Sequence, residues 1–189
     1  MKATLMLENY SVWRNIIVPS DTTFPKLHKI LQEVFTWQNS HLHDFTIFPS
    51  STNGKVVSIT QNIPIVTLVC HEEAFNYQGN VPMQMETGRK LSEYLLSKFV
   101  YNYDFGDDWQ HKIEVESLIE DYIPNYPTCL SGEGNAPPEV VGGEPGYEHF
   151  LETILDKENP DREHMLSWGR SQGYEEFDLE KTNRSLRKL

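Results

Sequence analysis

The chain has 189 residues, 38% of them hydrophobic and 12% aromatic, enough for one sizeable core, and its apolar runs are too short to cross a membrane. Its formal net charge of −12 lies wholly in residues 101–189, since residues 1–100 carry as many basic as acidic side chains. An acidic body repels phosphate backbones, so direct duplex nucleic-acid binding is disfavoured, whereas a cationic partner or a divalent metal suits it.

Only the last nine residues reverse the sign, through Lys181, Arg184, Arg187 and Lys188. The opening run Met1–Glu8 meets a carboxylate too early to form a signal-peptide hydrophobic region. Cys70 and Cys129 stand far apart with no Cys-x-x-Cys spacing, and read as free thiols in a reducing cytoplasm.

The first elements read as strand, strand, helix. Ala3–Glu8 and Trp13–Val18 are runs of strand formers separated by Asn9-Tyr10-Ser11, which predicts a hairpin. Phe24, Leu27, Ile30, Leu31, Val34 and Phe35 recur at helical spacing, predicting a helix over 22–35 that Asp21, Thr22 or Thr23 caps and Pro25 opens. His41–Phe48 alternates and predicts a third strand. Residues 49–90 are less regular: Val56–Ile59 and Ile63–Val69 are β-prone pieces among Asn, Gly, Pro and Gln, and read as edge strands within long loops. A short helix is expected at Leu91–Leu96.

Lys98–Asp104 and Trp109–Ile119 alternate again. Phe99, Tyr101 and Tyr103 share one face of the first, and Trp109, His111, Ile113 and Val115 share one face of the second. The link Phe105-Gly106-Asp107-Asp108 is short enough for an antiparallel hairpin, with Gly106 supplying a backbone angle that other residues avoid. Residues 121–146 are rich in Pro and Gly but too apolar and aromatic for a flexible linker. An ordered loop is expected there, bringing Cys129, Glu133 and Glu139 near the hairpin tip. Three helices follow: one faced by Tyr147, Phe150, Leu151, Ile154 and Leu155, one begun by Asn159-Pro160, and one capped by Asp178. These elements predict an α+β fold over a single domain, residues 1–189. Its sheet is mainly antiparallel, with one N-terminal helix packed on it and C-terminal helices around it.

The chemistry-bearing side chains crowd into Tyr101–His111, where Asp104, Asp107, Asp108 and His111 fall among four aromatics within eleven residues. His41 and His43, two apart on a strand, project from one face, an arrangement recurrent among metal ligands. His41, His43 and Asp107 are thus candidate ligands for a divalent metal, with Asp104, Asp108 or His111 to complete the set. The plainer alternative is a pair of polar residues at a strand start, beside an acidic turn whose aspartates bond their own backbone. His111 falls on the apolar face beside Trp109, which favours a satisfied core histidine. Its expected partner is Asp104 or Asp107 across the hairpin, a pairing that would raise its pKa. No cysteine-enzyme signature accompanies Cys129, so a buried thiol is expected, and Gly132-x-Gly134 is too short for a phosphate loop.

Larger patterns run through the chain. Trp13-Arg14, Val18-Pro19, Leu27-His28 and Trp37-x-x-Ser40-His41-Leu42-His43-x-Phe45 come first. Tyr103-Asp104-Phe105-Gly106-Asp107-Asp108-Trp109-x-His111 and Cys129-x-x-Gly132-x-Gly134-x-x-Pro137-Pro138-Glu139 follow, then Gly142-Gly143, Gly146-Tyr147 with Phe150-Leu151, and Phe177-Asp178. Over nearly its whole length the chain resembles the family named after the third open reading frame of a root-inducing plasmid, the plasmid Orf3-like domain. That resemblance implies no established activity, cofactor or partner. Some members carry a transposon-resolvase label. A serine resolvase needs arginines gathered around a nucleophilic serine and a DNA-binding element, whereas the six arginines here are scattered and no basic recognition helix is legible. The resembled pattern reads Pro-Pro-Glu-Asp before its Gly-Gly; Val140 stands at the Asp position here, which weakens any scheme needing a second carboxylate in this loop.

Two functions from different classes fit these observations. The first is a binding or accessory module presenting an acidic, aromatic-rimmed groove, associated with a mobile element. The alternative is a metal-assisted hydrolase built on His41, His43, Asp104, Asp107, Asp108 and His111. Because no triad, phosphate loop or closed metal spacing is legible, the binding module is the default. Trp109 and Glu139 complete its candidate cluster.

Overall fold

A computed structural model describes residues 1–49, 63–76, 79–95 and 97–189. Eight strands form one sheet: β1 (Lys2–Leu5), β2 (Val12–Ile17), β3 (His43–Phe48), β4 (Val66–Val69), β5 (Met83–Met85), β6 (Lys98–Tyr103), β7 (Trp109–Glu114) and β8 (Thr128–Glu133). Their spatial order is β5-β4-β3-β6-β7-β1-β2-β8, and every neighbouring pair is antiparallel except β4 with β5. Among the described residues there are also four α-helices: α1 (Phe24–Phe35), α2 (Gly143–Leu155), α3 (Arg162–Ser171) and α4 (Leu179–Leu186). The α+β class and mainly antiparallel sheet expected from the sequence are therefore found.

Alternation decides which side chains meet. In β2 and β7 every second residue is buried, so the sheet has one core face and one half-exposed face carrying Thr4, Trp13, Asn15 and Lys112. The register lines up Leu68, Phe45, Tyr101, His111, Leu5 and Val12 in one row across the core face. Onto that face α1 lays Phe24, Leu27, Leu31 and Phe35, with the Phe24 ring edge-on to Phe45 and Phe99. Thr23 caps this helix through its side chain, Pro25 sits in its first turn, and Thr36 ends it in a left-handed conformation.

A buried cation ties the C-terminal half to this core. The Arg14 guanidinium donates to the carbonyls of Val34, Trp13, Glu133 and Gly134 and lies 3.9 Å over the Phe177 ring. Burial pushes its pKa down to about 10, so its charge is held by carbonyl dipoles and π faces instead of a carboxylate. Gly132 makes room for it, since a Cβ there would stand 2.7 Å from Arg14 Cδ and 2.8 Å from the Phe177 ring.

Three expectations change. The Pro/Gly-rich stretch contains a strand, β8, which pairs with β2 and carries Cys129 to the far edge of the sheet, away from the hairpin tip. That edge is closed by α4, whose Asn183 side chain accepts from the Cys129 N–H and donates to its carbonyl, standing in for a further strand. Strand β7 stops at Glu114 instead of running to 119, and Leu91–Tyr94 forms a single 3₁₀ turn. The predicted piece Val56–Ile59 lies outside the described residues.

Candidate functional site

Strands β6 and β7 meet at a tip of five residues, Asp104–Asp108. Its left-handed positions are Asp104 (φ 54°) and Asp108 (φ 57°), not Gly106 as expected from sequence. Aspartate tolerates that conformation because its short side chain bonds nearby backbone. Asp104 Oδ1 accepts from the N–H groups of Gly106 (3.0 Å) and Asp107 (3.4 Å). Asp107 Oδ2 accepts from the Gly142 N–H at 3.0 Å, joining the tip to the start of α2. Asp108 accepts from the Gln110 side chain. The acidic cluster is thus spent on turn geometry.

His41 and His43 part company. The His41 ring faces Asp104 Oδ2 at 3.4 Å, whereas His43 Nε2 lies 3.2 Å from both oxygens of Glu86, which follows β5. With Asp107 bonded to Gly142, the predicted trio of His41, His43 and Asp107 does not converge. Among the described residues, no group of three or more His, Cys, Asp or Glu side chains is arranged to hold a metal ion.

His111 corrects a second expectation. It is wholly buried within a cage of Phe35, Trp37 and Tyr101 rings, and its Nδ1 faces the Tyr101 carbonyl at 3.3 Å. No carboxylate reaches it, and its Nε2 has no partner among the described residues, as is true of Trp109 Nε1. Burial therefore pushes its pKa down to about 3, opposite to the expected rise, and the ring is neutral.

Glu139 is a clasp. Its Oε1 accepts from the Tyr103 hydroxyl (2.6 Å) and the Gln38 N–H (2.8 Å), while the Ser40 N–H donates to the same hydroxyl. Burial first, and Glu139 second, raise the Tyr103 phenol well above its usual range. The next residue, Val140, sits at φ 53°, an unfavourable place for a β-branched side chain.

A further set of titratable groups lies at the other side of β3, and of these only His43 was foreseen. His43 on β3 and Cys70 just past β4 continue the β3–β4 register as direct neighbours, and the His43 N–H lies 3.5 Å from Cys70 Sγ. From α1 the His28 ring stacks on His43, centroids 3.6 Å apart and planes 2° from parallel. His28 is held in turn by the Tyr101 hydroxyl (2.8 Å) and Asn39 Oδ1 (2.6 Å), and Gln32 donates to that same hydroxyl. Burial alone would lower the His43 pKa, but hydrogen bonding to Cys70 and Glu86 and the Glu86 charge outweigh it and raise it to about 9. For His28, burial and then the His43 charge push the pKa down to about 4. One imidazolium thus rests against one neutral imidazole. Burial would raise the Cys70 thiol, yet hydrogen bonds from the His43 side chain and backbone hold it below the ordinary value. Cys129, by contrast, is pushed up to about 11 by burial, as the expected buried thiol.

Beside this set a cleft of about 480 Å³ opens between β3, β4 and the hairpin tip, lined by Leu42, Asp44, Val69, Cys70, Met83 and Phe105 among others. On its lining the Asp44 carboxyl is raised by burial and accepts from Asn102 at 2.6 Å. His28 had one sequence signal, since it falls on the apolar stripe of α1. Glu86 and Cys70 had none, because only the strand register brings them to His43.

One eight-stranded sheet, an aspartate-built hairpin tip and a Pro-Pro-Glu clasp define a distinct class of α+β protein. The chain belongs to the family described as plasmid pRiA4b ORF-3-like protein, whose model matches residues 1–185. It is 29% identical over 181 residues to the uncharacterized protein y4hQ of Sinorhizobium fredii, covering 93% of this chain and 82% of that relative. Its fold is similar to the crystal structure of a protein of unknown function, MM3350 from Methanosarcina mazei Go1. The TM-score is 0.71 at 30% identity, over 95% of this chain and 93% of that one. Among the described residues no helix is long and apolar enough to cross a membrane.

Proposed function

We propose that the protein is a binding module that takes a small ligand in the cleft between β3, β4 and the hairpin tip. The observation that carries this reading is the cleft itself. Its volume of about 480 Å³ falls within the usual range for small-molecule sites, and its walls are the apolar side chains of Leu42, Val69, Met83 and Phe105. Asp44 on the lining supplies an acceptor, so the ligand class is an apolar body carrying a hydrogen-bond donor or an amine. Glu73 and His71 also line the cleft, while Asp104, Asp107 and Asp108, expected to line a groove, serve the turn instead. A larger hollow of about 810 Å³ beside residues 115–125 is lined by no histidine or cysteine among the described residues, and carries less chemistry. Support for a mobile-element setting comes only from the plasmid in the family's description.

The test uses N-phenyl-1-naphthylamine, an apolar fluorophore with one N–H donor. Saturable binding is expected, weakened about tenfold by Leu42→Ala or Phe105→Ala, a loss of the size that a few buried methylenes contribute. Both side chains are more than half exposed (54% and 56%), so the thermal midpoint should not move. Non-saturable fluorescence, or binding indifferent to both substitutions, overturns the proposal.

A further inference from the structure

We propose that Cys70 is a reactive thiol site, positioned by His43 and Glu86, that exchanges with small-molecule disulfides reaching it from the adjoining cleft. Three features of the geometry carry this. The sulfur accepts from the His43 backbone N–H at 3.5 Å, with the imidazole of the same residue beside it. That ring is anchored by both oxygens of Glu86 at 3.2 Å, and His43 and Glu86 are only 7% and 5% exposed. Cys70 itself is only partly buried and is one of the residues lining the cleft, the proposed route of a reagent to the sulfur. A thiol with a cationic hydrogen-bonding neighbour and a route from solvent meets the conditions under which cysteines become nucleophilic.

Every element packed around the sulfur adds a titratable group. Strand β3 supplies His43 and Asp44, α1 supplies His28, β6 supplies Tyr101, the segment after β5 supplies Glu86, and the turn after β4 supplies His71 and Glu73. His28 is neutral and Tyr101 stays protonated well above its usual range, so two charges act on the sulfur. The His43 cation lowers the thiol, whereas Glu86 holds that cation but itself opposes the lowering. In the exchange, the Cys70 thiolate attacks one sulfur of the disulfide. A new S–S bond forms to Cys70, the old one breaks, and the departing thiolate takes a proton from His43 or from water. Cys70 is oxidised to the mixed disulfide and half of the reagent is reduced to a thiol, so the step balances with the disulfide as sole co-reactant. The inference does not depend on the ligand proposed for the cleft, because exchange requires only access to the sulfur.

The test follows the full-length chain with 5,5′-dithiobis(2-nitrobenzoate) and with cystamine. At pH 6.5 one thiol per chain is expected to react at least about tenfold faster than glutathione, because a larger fraction of it is thiolate. Cys70→Ser should abolish that phase, and Cys129→Ser should leave it intact. Mass spectrometry should place a single cysteamine adduct on the Cys70 peptide. His43→Gln, which removes the side chain that holds the thiol down, should shift the rate–pH profile upward toward an ordinary thiol, a change that mere loosening of the fold does not produce. The proposal is overturned if native Cys70 reacts no faster than glutathione, or if the fast phase survives Cys70→Ser. The two cysteine substitutions decide the matter even if His43→Gln fails to fold. Loss of fluorophore binding with thiol reactivity intact would reject the cleft ligand and leave this site standing.

Discussion

His43 and His111 point from the same face of one sheet, separated only by β6, and both are nearly or wholly out of solvent. Their pKa values nevertheless move in opposite directions, to about 9 and about 3. Burial disfavours the charged form at both places. Only at His43 do partners outweigh it, the Cys70 sulfur first and the Glu86 carboxylate at 3.2 Å second. A partner, and not depth, decides whether a histidine in this core is a cation. The two cysteines repeat the lesson: Cys70 beside His43 is lowered, and Cys129 is raised although Arg14 opposes the shift.

The largest effect expected from this contrast belongs to His111. Its folded pKa lies below the unfolded value of 6.5, so its contribution to stability is present above pH 6.5 and is lost as pH falls toward 3. The size is about 5 kcal/mol at most, since each tenfold change in proton affinity is worth about 1.4 kcal/mol. His111→Leu, close in volume and unable to titrate, should flatten the acid limb of a urea-denaturation series while leaving stability at pH 7 nearly unchanged. Parallel acid limbs in the two proteins would break the comparison at its neutral end.

Next comes His43, with the opposite sign. Its folded pKa is above 6.5, so its contribution is complete below pH 6.5 and disappears as pH rises through about 9. That loss is about 3 kcal/mol. Cys70 is the largest of the partners that raise His43, so Cys70→Ser should lower the His43 midpoint. Glu86→Gln should also bring that midpoint, followed by NMR titration, clearly below 9 and weaken the slope, with the Cys70 contribution remaining. An unchanged titration midpoint would mean that Glu86 is not a partner that holds the charge.

How much of this was legible beforehand follows the same division. The hairpins, α1 with its Thr23 cap, and Tyr101, Tyr103 and His111 on one face are local patterns of period two or 3.6, and alternation reveals them. Strand β8 was hidden because its Ser-Gly-Glu stretch lacks β-branched residues. What makes it a strand is pairing with β2 and the Asn183 side chain from fifty-four residues away. The candidate site was legible only where neighbours in sequence are neighbours in space, as in the Asp104–Asp108 turn. His43 was identified, but Glu86 lies forty-three residues from it and Cys70 twenty-seven, and no periodicity encodes such pairings. The sign of a histidine's charge depends on those distant partners, so His111 was assigned a carboxylate that the fold does not bring to it.

His41 supplies the remaining combination, a carboxylate partner without burial. It faces Asp104 at 3.4 Å, much as His43 faces Glu86, but its side chain is 28% exposed against 8% for His43. Water and salt screen such a pair, and ordering the side chains offsets part of the attraction, so exposed pairs contribute between zero and about 1 kcal/mol. His41→Ala should therefore lower stability by less than about 1 kcal/mol, a loss that shrinks further in half-molar salt. Asp104 keeps its bonds to Gly106 and Asp107 in that variant, so the turn itself is not disturbed. A cost above about 2 kcal/mol, insensitive to salt, would show that a partner alone suffices, and would remove burial from the account given for His43.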